Sequence, residues 1–401
     1  MPQSWLDPGL ATSQKRLSPG KQDMDALDPV SKEAPAPKAG RPSGTGLCLS
    51  GGGYRAMLFH CGTLIRLHEA GTLFAIRRIA SVSGGSITAA KLALEWEAVA
   101  AAPRRIDILH SRVVDPIRAM ASTTIDIWAG LAGILLPGSV SRRVARAYDR
   151  HLYRGATLSD LPARPDFTLC ATNLQTTALL RFNRFGMTDW HLGNILGGAM
   201  PLARAVAASS AFPPFLAPCR IDARRWKAQP LPGADLAEEA YTRRIVAVDG
   251  GVYDNLGLET VWKRCETILV SDAGAKIGPS PKPPTDWLLG TKRAADIIDD
   301  QVRNLRKRSL LDAYETGRRK GAYWGIRADI ARYGLPDALP CPHDQTLRLA
   351  EIPTRLAAMP DLLQERLINW GYAICDAGLR RHVDTALPPP RGFPYPSAGL
   401  G

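Results

Sequence analysis

Three short stretches hold residues whose types and spacing could perform acyl transfer. Ser83 sits in Ser81-Val82-Ser83-Gly84-Gly85, directly after the apolar run Ile79–Val82 and directly before a helical pattern. A nucleophile carried on a tight strand-to-helix turn needs small neighbours, and Gly84 and Gly85 supply them. Such a turn lifts the hydroxyl off the sheet edge, and the helix N-terminus behind it favours developing negative charge. Ser81 stands at the first position of the GxSxG pattern, where glycine is usual. Taken alone, the five residues read equally well as a serine N-cap.

The second stretch is Ser50-Gly51-Gly52-Gly53-Tyr54-Arg55. Glycines between a strand and a helix leave backbone N–H groups pointing into an open turn, where they could hold an oxyanion or a phosphate. No Lys-Ser or Lys-Thr follows, as a P-loop requires, and Ala56 occupies the sixth position of a dinucleotide fingerprint, so phosphate is the weaker reading. Arg55 would brace the glycine loop, sense a lipid phosphate, or form a structural ion pair. The third stretch is Asp249-Gly250-Gly251, at the end of the apolar run Ile245–Val248. A carboxylate at a strand's C-terminal end lies where open α/β sheets bind ligands. Partial burial would raise its pKa and make it a competent base for Ser83. Asp-Gly-Gly by itself is more often a turn, and the nearby Asp254-Asn255 and Asp272 read as structural.

Strands alternating with helical periods must position these residues, which argues for βαβ units and a mainly parallel sheet. Strands are expected at Leu47–Leu49, Ile79–Val82, Phe167–Ala171, Ala178–Phe182, Ile245–Val248 and Ile268–Val270. Met57, Leu58, Cys61, Leu64, Ile65 and His68 line one face of a helix over 53–70, which Gly71 stops. A second helix is expected over 84–98, and a helical stretch broken at Pro201 over 192–210.

Together the motifs resemble those of the patatin-like phospholipases: GGGYR, a serine elbow some thirty residues on, a later strand ending Asp-Gly-Gly within VDGGVYDNLG (Val248–Gly257), and the Ala208-Ser209-Ser210-Ala211-Phe212-Pro213 block. The first helix is also similar to that of the related cytosolic phospholipases. The resemblance implies a three-layer α/β/α fold and a Ser–Asp dyad, with Ser83 as nucleophile and Asp249 as base. It implies an oxyanion hole from Gly51, Gly52 and Gly53 with Arg55 in support. Gly84, Gly85, Gly250 and Gly251 would shape the turns. Ser81 and Ala56 depart from the family's glycines and put the turn geometry in question. A Ser–His–Asp triad ranks low: none of the seven histidines follows the base strand in a motif, and His60 and His68 sit on the first helix. The implied activity is hydrolysis of fatty-acyl esters of glycerophospholipids. The alternatives are an esterase or thioesterase on soluble acyl substrates and a ligand-gated phospholipase effector in bacterial defence.

The rest of the chain bounds this reading. Residues 1–43, rich in Pro, Ser and Lys, read as a loosely packed arm, 44–275 as the catalytic core, 276–385 as a helical extension packed on it, and 386–401 as a Pro/Gly tail like the arm. The net charge is +13, which suits an anionic partner. That partner could be nucleic acid or a lipid headgroup layer, or the charge could simply be that of an ordinary protein of high isoelectric point; no nucleic-acid motif is visible, and the family resemblance implies a phospholipid membrane surface, with nucleic acid not expected. Arg142, Arg146 and Arg150 form one basic stripe; Arg303, Arg306, Lys307 and Arg308 form another. Both read as solvated faces, with attraction to anionic lipid as the functional alternative. The uncharged segment Ile127–Gly138 reads as core, or as a cap over an acyl chain. Seven widely spaced cysteines without a CxxC suit free thiols of a reducing compartment. With no signal peptide and no apolar run long enough to span a bilayer, the expected location is the cytoplasm, peripherally on membranes when active. No metal or cofactor is called for. A regulatory ligand or activator protein is left open, as is the oligomeric state.

Overall fold

Leu47 and Leu49 on one side of strand β1 (Thr45–Leu49) and Cys48 on the other are all fully buried. A strand with both faces apolar must lie inside a sheet covered by helices on both sides, and β1 does. The computed structural model describes residues 42–125, 139–213 and 216–401. The arm over 1–41 and the apolar segment Ile127–Gly138 therefore lie outside the described residues, as do positions 214 and 215.

The order after β1 is α1 (Gly53–Glu69), β2 (Ile76–Val82), α2 (Gly84–Leu94), several short helical turns, and α3 (Ser139–Tyr148). Next come β3 (Asp166–Asn173), β4 (Leu179–Asn183), β5 (Gly186–Asp189), β6 (Gly193–Leu196), α4 (Leu202–Ser209), β7 (Cys219–Asp222), β8 (Lys227–Gln229) and β9 (Arg244–Asp249). The chain continues through β10 (Thr267–Asp272), α5 (Trp287–Glu315), β11 (Lys320–Gly325), α6 (His343–Ala350) and α7 (Asp361–His382). The strands make one sheet in the order β11-β10-β1-β2-β3-β4-β5-β6-β8, with β9 pairing β3 and β7. From β11 to β3 the pairing is parallel. Beyond β3 it is antiparallel. Helices α1, α2 and α7 share the large core with Leu47, Leu49, Ile79 and Leu269. Cys48, Ala80, Ile268 and Val270 on the opposite face meet Trp262 and Leu310. This is a three-layer α/β/α arrangement.

Several expectations are corrected. The stretch 192–210 is not one broken helix. Residues Gly193–Leu196 alternate buried and open and pair with β5 as β6, and α4 begins only after Pro201. The helix from Gly84 ends at Leu94 rather than continuing to 98, and a separate short turn follows. The extension after residue 275 is helical, but it also donates β11 to the edge of the same sheet. Its helix α7 meets α1 backbone to backbone. A Cβ on Gly62 would lie 1.9 Å from the Ile368 carbonyl oxygen, and one on Gly371 would lie 1.9 Å from that of Phe59. The C-terminal stretch is packed rather than loose. Asn369 Nδ2 donates to the carbonyls of Tyr395 and Gly399 at 2.8 Å each, and Leu400 is buried. The partners for these backbone groups come from α7, and composition alone does not reveal them.

All seven cysteines are free and buried. Arg142, Arg143, Arg146 and Arg150 are exposed, as a solvated stripe should be. The second basic region is different, because Arg303 is buried and pairs with Asp300 at 3.0 Å. No helix among the described residues is long and apolar enough to cross a membrane.

Candidate active site

The strand register brings Ser83 to Asp249. Strand β2 runs along one edge of β3, and its last pair is Val82 with Cys170. Strand β9 runs the opposite way and pairs Asp249 with the next β3 residue, Ala171. Since β4 occupies the other edge at this level, β2 and β9 share one edge and meet head-on. Ser83 leaves β2 where Asp249 ends β9. The expectation that Asp249 ends a strand is met, but β9 is antiparallel to β3, so it approaches the site from the opposite direction to the parallel strands.

Ser83 has φ 50° and ψ −117°, a backbone conformation that non-glycine residues rarely hold. The surroundings enforce it. A Cβ on Gly84 would lie 2.2 Å from the Gly53 carbonyl oxygen, and one on Gly85 would lie 2.4 Å from that of Leu49. The elbow and the glycine turn are thus packed backbone on backbone. Ser81 fits without glycine because its hydroxyl is satisfied, accepting from Ser86 Oγ at 3.0 Å and donating to the Thr168 carbonyl at 3.4 Å. Ser83 is 8% exposed, and the N-terminus of α2 lies directly behind it.

Asp249 is buried. Burial pushes its carboxyl up to about 7, while hydrogen bonds from the Gly251 N–H and the Ser83 hydroxyl pull it down and the neighbouring Asp299 carboxyl raises it. The Gly251 bond is 2.7 Å. The Asp249 backbone is held by Thr172 Oγ1, which donates to its carbonyl at 2.9 Å, and by the Ala211 carbonyl, which accepts its N–H at 2.9 Å. A Cβ on Gly250 would lie 2.3 Å from the Cys170 carbonyl oxygen, so glycine is required there. Near neutral pH this carboxyl is divided between its two forms, as suits a group that must take and return a proton.

The glycine turn departs from expectation at one position. The Gly51 N–H donates to the Asn255 carbonyl at 3.2 Å, so it is already engaged. No described backbone bond uses the N–H of Gly52 or Gly53, and both have positive φ, 147° and 61°. Among the described residues, Gly52 and Gly53 are thus the glycines of this turn whose N–H groups have no backbone partner. Arg55 packs against the turn, and a Cβ on Gly52 would lie 3.3 Å from its Nη2. Its buried guanidinium donates to the carbonyls of Ala273 (2.9 Å), Ala350 (3.4 Å) and Ile352, and to Thr354 Oγ1 (3.2 Å). Burial, with Arg327 and Arg303 adding to it, lowers its pKa to about 10, with Asp272 opposing. Its role here is to tie the loops after β10 and α6 to the glycine turn.

Three supporting residues have no role assigned from the sequence. Ser209 Oγ accepts the Ser83 N–H at 3.0 Å, donates to the Cys170 carbonyl at 2.6 Å, and contacts Ser86 Oγ at 2.8 Å. It belongs to the Ala-Ser-Ser block, which marks the segment but not this contact. His60 spans Ser271 Oγ and the Ser50 carbonyl, each at 2.9 Å. Burial lowers its pKa to about 4, so it is a neutral strut and not a triad member. Asp299 comes from α5, fifty positions after Asp249, and only tertiary packing reveals it.

The family model described as Patatin, patatin-like phospholipase, matches residues 47–262, more than half of the chain. No curated protein matches the sequence. Among solved structures, human GIVD cytosolic phospholipase A2 is similar over 58% of this chain and 45% of that chain, at 14% identity and a TM-score of 0.39. VipD from Legionella pneumophila is similar over 86% and 68%, at 13% and 0.33. The type III effector protein ExoU is similar over 88% and 56%, at 14% and 0.31. The chain spans less than half the length of the human enzyme it matches.

Proposed function

Because this chain belongs to the patatin-like phospholipase family, a family of serine hydrolases, we propose that it is a lipid acyl hydrolase cleaving fatty-acyl esters of glycerophospholipids through Ser83 and Asp249. The observation that carries the reading is the head-on meeting of β2 and β9, which sets Ser83 beside the buried Asp249 carboxyl, whose pKa burial raises to about 7.

Ser83 Oγ attacks the ester carbonyl carbon as Asp249 takes the hydroxyl proton. The N–H groups of Gly52 and Gly53, with the α2 N-terminus behind them, face the charge that develops on the carbonyl oxygen. Collapse expels the lysolipid alkoxide, which takes the proton from Asp249 and leaves an acyl-serine. Asp249 then deprotonates water, which attacks the acyl carbon, and Ser83 recovers its proton as the fatty acid leaves. His60 takes no part, since both its ring nitrogens are engaged. The test is incubation with phospholipid vesicles and mass spectrometry of the products. Wild type should release fatty acid and lysophospholipid in equal amounts, and Ser83→Ala neither. Equal release by both proteins would overturn the assignment.

A further inference from the structure

Over residues 287–305, helix α5 is amphipathic in the opposite sense to an ordinary surface helix, whose apolar stripe faces the core, whereas its last turns bury Leu310 and Ala313 in the ordinary way. Over 287–305 the charged side chains face the protein. Arg303 is buried against Asp300, Arg306 Nη2 donates to the Tyr253 carbonyl at 3.1 Å, and the Lys292 ammonium lies 5.6 Å from the Phe212 ring centroid. Asp299 neighbours Asp249. Over the same span the apolar side chains face outward: Trp287 is 82% exposed, Ile298 64% and Leu305 55%, with Ile297 and Val302 also exposed. Trp287, Ala294, Ile298, Val302 and Leu305 recur at i, i+7, i+11, i+15 and i+18, which is one face. At 1.5 Å per residue it runs for roughly 27 Å. The residues completing this face, Gly290, Thr291 and Gln301, are uncharged. An outward apolar stripe of this extent marks a surface that something covers.

We propose that this face of α5 is where the protein docks on a phospholipid membrane, with the helix lying in the plane of the interface. The proposal rests on the lipid-hydrolase reading and adds the surface that delivers the substrate. Two observations select a lipid layer as the occupant. The first is position, since α5 also braces the catalytic region: Tyr253 and Phe212 belong to the segments that follow and support Asp249, so docking through α5 brings the site to the lipid. The second is charge. Lys276 and Lys282 are exposed just before the helix, Arg308 is exposed just past Leu305, and the whole chain carries +13. Cations at the ends of an apolar face, with a tryptophan at its start, complement an anionic headgroup layer over an acyl interior.

The test uses the full chain and vesicles of phosphatidylcholine with or without phosphatidylglycerol. Wild type and Ser83→Ala should both co-float with the anionic vesicles. Ile298→Asp with Leu305→Asp should weaken flotation about tenfold or more and slow vesicle hydrolysis to match. Cleavage of a water-soluble short-chain ester should be unchanged. Ile298→Trp, which adds interfacial area without a charge, should strengthen flotation, and it keeps the proposal testable if the double variant fails to fold. Flotation and vesicle hydrolysis by the double variant equal to wild type would overturn docking and leave the hydrolase reading standing. Flotation lost in the double variant, with no fatty acid released by wild type, would support docking and overturn the hydrolase. A wild-type dimer that the double variant converts to monomer, without vesicle binding by either, would assign the face to a second copy and overturn the proposal.

Discussion

Asp249 and Asp272 end neighbouring parts of the same sheet, both are buried, and their environments drive them in opposite directions. Burial pushes both carboxyls up. At Asp249 no cation among the described residues answers it, and the group is pushed up to about 7. At Asp272 the burial is outweighed by Arg303, by the Tyr323 hydroxyl at 2.6 Å, by the Gly274 N–H at 2.8 Å and by Lys307, and the group stays below its ordinary value. A buried carboxylate at a strand end is therefore not by itself a base. One strand end leaves its carboxylate facing a serine, and the other holds its carboxylate in hydrogen bonds from Tyr323 and Gly274 under the positive charge of Arg303 and Lys307.

Changing each carboxylate should separate the two roles. Asp249→Asn should lower kcat/KM on lipid about a thousandfold or more, within the range of general-base contributions. It should also stabilise the fold. The native pKa is raised, so ionising Asp249 costs stability as pH rises from the unfolded carboxylate value through about 7. The melting temperature of Asp249→Asn should exceed that of wild type at pH 8 and match it near pH 4. Asp272→Asn should do the reverse, destabilising by about 2 kcal/mol in urea unfolding at neutral pH, because the Tyr323 hydroxyl and the Gly274 N–H lose a charged acceptor and Arg303 and Lys307 lose an opposing charge. The stability that Asp272 contributes is present above the unfolded carboxylate value and is lost as pH falls through its depressed native value, so the variant's deficit should shrink in acid. If instead Asp272→Asn lost activity without losing stability, the two ends would not differ as described.

Smaller effects probe what sets Asp249 and Ser83 in place. Ser209→Ala removes the acceptor of the Ser83 N–H and should lower kcat about tenfold with KM little changed, since a loosened elbow affects the reacting geometry. Asp299→Asn removes a neighbouring negative charge and should move the pH midpoint of kcat/KM downward from about 7 by less than about one unit. An upward shift would mean that Asp299 stabilises the ionised base.

The same contrast explains what was legible in the sequence. Ser83, Asp249 and the glycine turn stand out because strained turns and close backbone contacts restrict which residues fit, as the carbonyl oxygens pressed against Gly84, Gly85 and Gly250 show. The parallel half of the sheet was legible for a related reason: strands buried on both faces read as apolar runs. The engagement of Gly51 by Asn255, the head-on meeting of β2 and β9, and the Asp299 neighbour were not legible, because each depends on long-range register. The region after 275 was legible as helical. The Gly62–Gly371 crossing that makes α7 part of the core was not, since one glycine in each of two distant helices carries no local signal. The inward charges of α5 inverted the sequence reading of Arg303, while Arg308 is exposed as a solvated face should be, because periodicity identifies a face but not its direction.

The most direct measurement is the pH dependence of Ser83 labelling by a fluorophosphonate, read by intact-protein mass spectrometry in wild type and Asp249→Asn. The labelling rate of wild type should rise with pH and level off with a midpoint near 7, as Asp249 ionises and can take the serine proton. Asp249→Asn should label far more slowly, without that midpoint, and Ser83→Ala not at all. Wild-type rates in Asp249→Asn across the same pH range would contradict the pairing of Ser83 with Asp249.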